Sequence, residues 1–227
     1  MVKFEFEDKE YCLGSWKDIK LSVYVQYIEK LLPKRPEAIV KVFQAEEMEQ
    51  VRLNWSVQEE VSAAEYMCEV VAYFFDIDVT VIKTIMERET LEAAYWGIEF
   101  TLLRFPESVD YVGFKVEGVE YLLPSKFMEN STFQEFAECA QYQQALEKVE
   151  GGDWLALPDL IAVLARPKGE AFDSTKIKER RELFLKHLTM NDALQVAFFL
   201  HRLKQKYTDN LTIYSMLKAL ENLQVKE

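Results

Sequence analysis

The side chains that could carry chemistry in this chain are few and scattered. His187 and His201 each lie in a predicted helix beside Lys or Arg, without the HxH or HExxH spacing that binds a metal ion. The pair Gly151-Gly152 precedes Asp-Trp and lacks the lysine of a phosphate-binding loop, so we interpret it as a linker. Asp76 and Asp78 lack the spacing of a calcium loop, which favours a helix stop and a helix cap.

The cysteines and the paired acids do not indicate a catalytic site either. Cys12, Cys68 and Cys139 are odd in number and widely spaced, which argues against a disulfide framework or a CxxC metal site and indicates a reducing cytosol. Acid pairs such as Glu46-Glu47 and Glu59-Glu60 suit solvated helix faces. We therefore expect a protein that is not an enzyme and that uses no cofactor and no metal.

Net charge is distributed unequally along the chain. The 227 residues include 39 acidic and 27 basic ones, a net charge of −12. Residues 1–111 hold 22 acidic and 12 basic residues, and residues 112–227 hold 17 acidic and 15 basic residues. An acidic surface argues against direct binding to nucleic acid or to an anionic membrane, and favours basic partners. The apolar runs are also too short to span a membrane.

One basic segment contrasts with this acidic background. Between residues 176 and 206 there are eight basic residues and three acids. Two solvated helix faces would explain them. The alternative is a docking surface for an acidic partner, such as the first half of another copy, with apolar contacts from Phe184, Phe198 and Phe199. The candidate partner-binding residues are Lys176, Arg180, Arg181, Lys204 and Lys206.

A fourteen-residue pattern occurs twice. VKFEFEDKEYCLGS at residues 2–15 aligns without a gap with VGFKVEGVEYLLPS at residues 112–125. Apolar and polar residues alternate in both, which predicts a strand, a turn at Asp8-Lys9 or at Gly118, and a return strand. The sequence therefore predicts two β-hairpins related by duplication.

The repeat also makes a prediction about side chains. Phe4 aligns with Phe114, and Tyr11 aligns with Tyr121. We expect both tyrosine rings to be buried between the hairpin and the helix that follows it.

The rest of the chain predicts helices. Helix starts are expected at the capping box formed by Ser56 and Glu59, at Asp78, and at Asn191 or Asp192. The predicted helices cover residues 22–29, 35–51, 56–75, 79–87, 89–105, 133–149, 158–166, 175–188, 193–207 and 211–225, and the first of them is expected to pack on the first hairpin. The predicted fold class is mainly α with two small β-hairpins (α+β), a duplicated hairpin-plus-helices module. The predicted modules span residues 1–106 and 111–227.

The second half resembles proteins of tailed-bacteriophage virion and tail-assembly modules. A hairpin with VEYLLPS, an Ala-rich apolar helix and the pattern ARPKGEAFD…R…LF…LTMNDALQVAFFL lie within residues 112–207. These features are similar to those of tail assembly chaperones and of virion-associated proteins, including the virion-associated proteins of crAss-like phages.

The resemblance implies no catalytic residues. It implies a non-enzymatic structural or assembly protein that binds other virion proteins or copies of itself, in the host cytoplasm during assembly and in the particle. The charge leaves an alternative function open, an acidic DNA mimic that inhibits a host or defence protein.

Overall fold

The computed structural model describes residues 2–45, 52, 54–103, 113–123, 133–150 and 152–198. Over these residues the chain is mainly helical, with one two-stranded and one three-stranded antiparallel sheet. The predicted fold class, mainly α with two small hairpins, is confirmed. The predicted helix at 211–225 lies outside the described residues.

The helices follow the predicted pattern closely. The α-helices are α1 (Leu21–Gln26), α2 (Glu37–Gln44), α3 (Val57–Phe75), α4 (Val79–Ile85), α5 (Arg88–Leu103), α6 (Phe133–Glu150), α7 (Leu157–Leu164), α8 (Ile177–His187) and α9 (190–198). After α1 the chain continues through a π-turn, Tyr27–Leu31, and a short 3-10 turn, Leu32–Lys34.

Helix caps account for several of these boundaries. Ser56 and Glu59 form the expected capping box at the start of α3. Asp76 ends α3 with φ at 53°, and the Asp78 carboxylate caps α4. The expected start of α9 was wrong: the Thr189 hydroxyl is the cap, and the Asp192 carboxylate accepts a hydrogen bond from the Thr189 backbone N–H.

Both predicted hairpins are present and have the same register. The strands are β1 (Val2–Phe6), β2 (Lys9–Leu13), β3 (Gly113–Val116) and β4 (Val119–Leu122). Phe4 lies opposite Tyr11, and Phe114 lies opposite Tyr121. The second sheet gains a third, two-residue strand, β5 (Arg166–Pro167), which pairs antiparallel with β4.

The two hairpins also share a turn geometry. Glu7 and Asp8 have φ of 50° and 60°, and Glu117 and Gly118 have φ of 48° and 82°. Two central residues with positive φ are typical of a type I′ turn, which matches the twist of the strands. The first turn is therefore Glu7-Asp8, not the predicted Asp8-Lys9, because Lys9 already pairs within the sheet.

An aromatic cluster packs on the first hairpin. The Phe4 and Tyr11 rings stack with centroids 5.2 Å apart, and Phe75 at the end of α3 meets them edge-on at 4.9 and 5.9 Å. On the same face of the hairpin, β1 also contacts α5, where a Cβ on Gly97 would overlap the Val2 side chain. The helices that cover this hairpin thus come later in the chain than the expected one.

The second hairpin repeats this cluster. Phe114 and Tyr121 stack at 5.7 Å, and Phe184 of α8 meets them edge-on at 5.1 and 5.0 Å. Tyr121 is buried, but it packs against Phe184 of α8 and not as predicted against the next helix, and Tyr11 is only half-buried. The two hairpins therefore share a register, a turn type and an aromatic packing scheme, and differ in how far the tyrosine is covered.

The buried side chains form one cluster with members from both predicted modules. Backbone hydrogen bonds also join the two modules: Leu21 N–H donates to the Leu188 carbonyl at 2.9 Å, and Met190 N–H donates to the Ile19 carbonyl at 2.7 Å. Helix α1 packs on α8 beside these bonds. The boundary between residues 106 and 111 lies outside the described residues, so the division into modules stays a prediction.

Candidate functional site

The predicted partner-binding residues on α8 lie in ion pairs within the chain. Arg180 is only 4% exposed, and its Nη2 lies 2.9 Å from Glu170 Oε1. Lys176 Nζ lies 2.5 Å from the same oxygen, and the hydrogen bond from Lys176 lowers the pKa of Glu170. The expected exposure of Arg180 on a solvated helix face was therefore wrong. Lys204 and Lys206 lie outside the described residues.

The remaining charges of this segment are also balanced. Arg181 Nε lies 3.1 Å from Asp159 Oδ1. From residue 176 to residue 198, five basic residues stand against three acids of the same stretch, and Glu170 and Asp159 add two more acids. Phe184, expected to supply apolar contact to a partner, is fully buried, and Phe199 lies outside the described residues. The described part of the basic segment is thus close to neutral.

A buried polar cluster, which the sequence did not predict, joins three elements of the first half. Arg35 Nη2 lies 2.6 Å from Glu99 Oε1 of α5, and it donates to the Tyr27 hydroxyl at 2.7 Å. The Tyr27 hydroxyl donates in turn to Glu99 at 3.1 Å. Glu99 is 3% exposed, so its charge depends on these two partners. We call Tyr27, Arg35 and Glu99 the buried ion-pair cluster.

Two more tyrosines surround the cluster. The hydroxyls of Tyr66 and Tyr95 and the Nε of Arg35 are buried without a hydrogen-bond partner among the described residues. Burial, together with the charge of Glu99, raises the pKa of the Tyr95 hydroxyl far above its ordinary value, and burial also raises that of Tyr66. These hydroxyls therefore stay protonated at neutral pH, which suits a structural role better than acid-base chemistry.

One feature of the sequence indicates this cluster. Glu99 falls at helical spacing within the apolar face of α5, alongside Tyr95 and Ile98, where a lone acid needs a buried partner. The partner itself could not be predicted, because Arg35 is 64 residues away in the chain.

An open groove of about 760 Å³ lies between α1 and the C-terminal end of α3. Leu13, Ile19, Val23 and Ile77 contribute apolar lining. The charged residues of its lining are Asp18, Lys20, Glu69 and Asp76. Three carboxylates against one ammonium make the groove acidic, in keeping with the charge of the first half. We call it the α1–α3 groove.

An apolar strip is exposed at the N-terminal end of α3. Val57 is 79% exposed and Val61 is 54% exposed, and their spacing of four residues places them on one helix face. Val61, Ala64, Met67 and Leu91 line an adjacent recess of about 170 Å³. The pair Val57 and Val61 is referred to below as the α3 strip.

The other candidates for chemistry have ordinary structural roles. His187 Nε2 lies 3.1 Å from Glu117 Oε1 in the turn of the second hairpin, and His201 lies outside the described residues. Within the described ranges, no group of three His, Cys, Asp or Glu side chains could hold a metal ion. The helices described there include none that is long and apolar enough to cross a membrane.

Comparison of the chain with known protein families, with curated proteins and with solved structures finds no match.

Proposed function

We propose that this chain is a non-enzymatic structural or assembly protein of a tailed bacteriophage that acts by binding other virion proteins. The observation that carries the binding role is the α3 strip. Exposed β-branched side chains one helical turn apart, beside a mostly apolar recess, offer an apolar surface that a protein partner can cover. The phage assignment rests on the sequence resemblance in the second half.

The charge of the first half favours the same role. Its acidic surface keeps the protein apart from nucleic acid and selects basic protein surfaces. The described part of the basic segment is nearly neutral, so we place the docking surface in the first half and not on α8.

The test is co-expression with the products of the neighbouring genes, followed by co-purification. Val57→Glu together with Val61→Glu should abolish the association, because two charges would be placed where an apolar contact forms. Gln58→Glu with Ser62→Glu is the matched control, since it adds the same charge to exposed positions of the same helix.

Three results would overturn the proposal. Equal association of the two double variants would exclude the α3 strip as the docking surface. Neighbouring genes that encode no portal, tail-tube or other virion protein would argue against the phage assignment. Co-purification with a DNA-binding protein whose DNA binding is blocked would instead favour the acidic DNA mimic.

A further inference from the structure

The two hairpins present equivalent edges, and among the described residues a third strand pairs with only one of them. In an antiparallel hairpin, alternate residues of a strand bond to the partner strand, and the residues between them direct their backbone groups outward. The shared register makes Glu10 and Cys12 the outward residues of β2, and Glu120 and Leu122 those of β4.

The outward edge of β4 binds an extended segment of the same chain. Strand β5 places Arg166 opposite Leu122, and Lys168 N–H donates to the Glu120 carbonyl at 3.3 Å. This segment follows α7 and reads Arg-Pro-Lys. The second hairpin thus shows which kind of segment such an edge accepts.

The equivalent edge of β2 has no such strand within the described part of the chain. The first sheet there consists of β1 and β2 alone. The side chains of β2 are more exposed than those at the equivalent positions of β4. Tyr11 is half-buried, whereas Tyr121 is 7% exposed, and Cys12 is exposed, whereas Leu122 is half-buried. Outward N–H and C=O groups at such an edge are a template for another strand.

The surroundings of this edge select a basic segment. Glu10, which pairs with Lys3, is one of the two outward residues of β2. Leu13 at the end of β2 lines the α1–α3 groove, in which three carboxylates outnumber the ammonium of Lys20. A short edge with a charged side chain disfavours pairing with the same edge of a second copy. The segment that covers the equivalent β4 edge contains an arginine and a lysine.

We propose that the outer edge of β2 binds an extended, basic segment of a partner protein as a third strand of the sheet. Main-chain hydrogen bonds to Glu10 and Cys12 would hold the segment, and its positive side chains would face the carboxylates around the groove. This inference rests on the proposed function, because it names a second surface through which an assembly protein binds its partner.

The test uses the full-length protein and a capped synthetic peptide with the sequence of residues 163–170, VLARPKGE, as the probe. Amide hydrogen exchange measured by NMR should be fast at Glu10 and Cys12 in the free protein. It should slow about tenfold when nine-tenths of the protein is bound. A second peptide with glutamine in place of Arg and Lys should bind more weakly and lose the dependence on salt.

Substitution of the edge provides the matched control. Cys12→Pro removes an outward N–H and leaves the bonds between β1 and β2 in place, as proline does at a strand edge, so it should abolish peptide binding. Cys12→Ser keeps the N–H and should bind like the unchanged protein. Glu10→Pro removes the other outward N–H and replaces Cys12→Pro if that variant loses the hairpin.

Three results would overturn the proposal: slow exchange at both amides in the free protein, peptide binding that both proline variants retain, or equal binding of the two peptides. None of them would affect the association through the α3 strip, which the co-purification experiment measures separately. Loss of that association with intact peptide binding would instead remove the proposed function and leave the edge as a strand-binding site.

Discussion

Removing one member of the buried ion-pair cluster should destabilise the protein far more than removing the whole cluster. Glu99→Leu leaves the Arg35 guanidinium, 17% exposed as a side chain, without its carboxylate, and leaves the Tyr27 hydroxyl without its acceptor. Breaking a buried pair costs about 3–5 kcal/mol. We expect the lower end, about 3 kcal/mol, because Arg35 keeps its place over the Phe43 ring at 4.9 Å.

The combined variants separate charge burial from packing. In Arg35→Met with Glu99→Leu no charge of the cluster remains buried, and the Tyr27 hydroxyl loses both of its partners, a cost of about 1–3 kcal/mol. Adding Tyr27→Phe removes that hydroxyl as well. The triple variant should therefore approach the stability of the unchanged protein, since apolar replacement of a buried pair is often neutral or stabilising.

The assay is equilibrium unfolding in urea with linear extrapolation, and the slopes must agree between variants. Glu10→Leu, which removes the partner of Lys3 on the surface, is the control and should change the midpoint little. A loss below about 1 kcal/mol in Glu99→Leu would mean that the cluster holds no buried charge of consequence, and so would a triple variant as unstable as the single one.

Three further changes test the hairpins and their contacts. Asp8→Gly should stabilise the protein by about 0.5–1 kcal/mol in the same urea assay. Asp8 has φ at 60°, and glycine adopts this region without a steric cost. A loss of stability would contradict the type I′ turn. Gly97→Ala should lower the free energy of unfolding by about 1–3 kcal/mol, because the added methyl group overlaps Val2. Val2→Ala should relieve much of that loss when the two changes are combined. Losses that simply add would argue against the contact. Tyr121→Ala should lower the free energy of unfolding by about 3–5 kcal/mol. Tyr11→Ala should lower it by roughly half as much, because Tyr11 is only half-buried. Equal losses in thermal or urea melts would mean that β5 adds nothing to the burial of Tyr121.

Local signals accounted for most of the fold. Ser56 with Glu59, Asp78 and the alternation around Phe4 and Phe114 depend on neighbours within one turn or one strand, so the sequence predicts them directly. The two-residue turn at Glu7-Asp8 was missed because a glutamate rarely adopts positive φ, and the strand register determined the turn instead.

Contacts between distant segments could not be predicted in this way. The partner of Glu99, the pairing of β5 with β4 and the burial of Arg180 each join residues from separate elements, and no periodicity encodes which elements meet. Counting charges along the basic segment overestimated its surface charge, because the acids that neutralise it, Glu170 and Asp159, precede it in the chain.

The backbone bonds between residues 19–21 and 188–190 have a consequence for biosynthesis. The two segments are about 170 residues apart, so α1 has no α8 to pack against until those further residues have been synthesised. At ordinary translation rates this interval lasts roughly 10–30 s. During that time the apolar face of α1, which includes Leu21, is open to chaperones and to newly made copies of the same chain. Slower translation of the second half should therefore increase aggregation of the nascent protein.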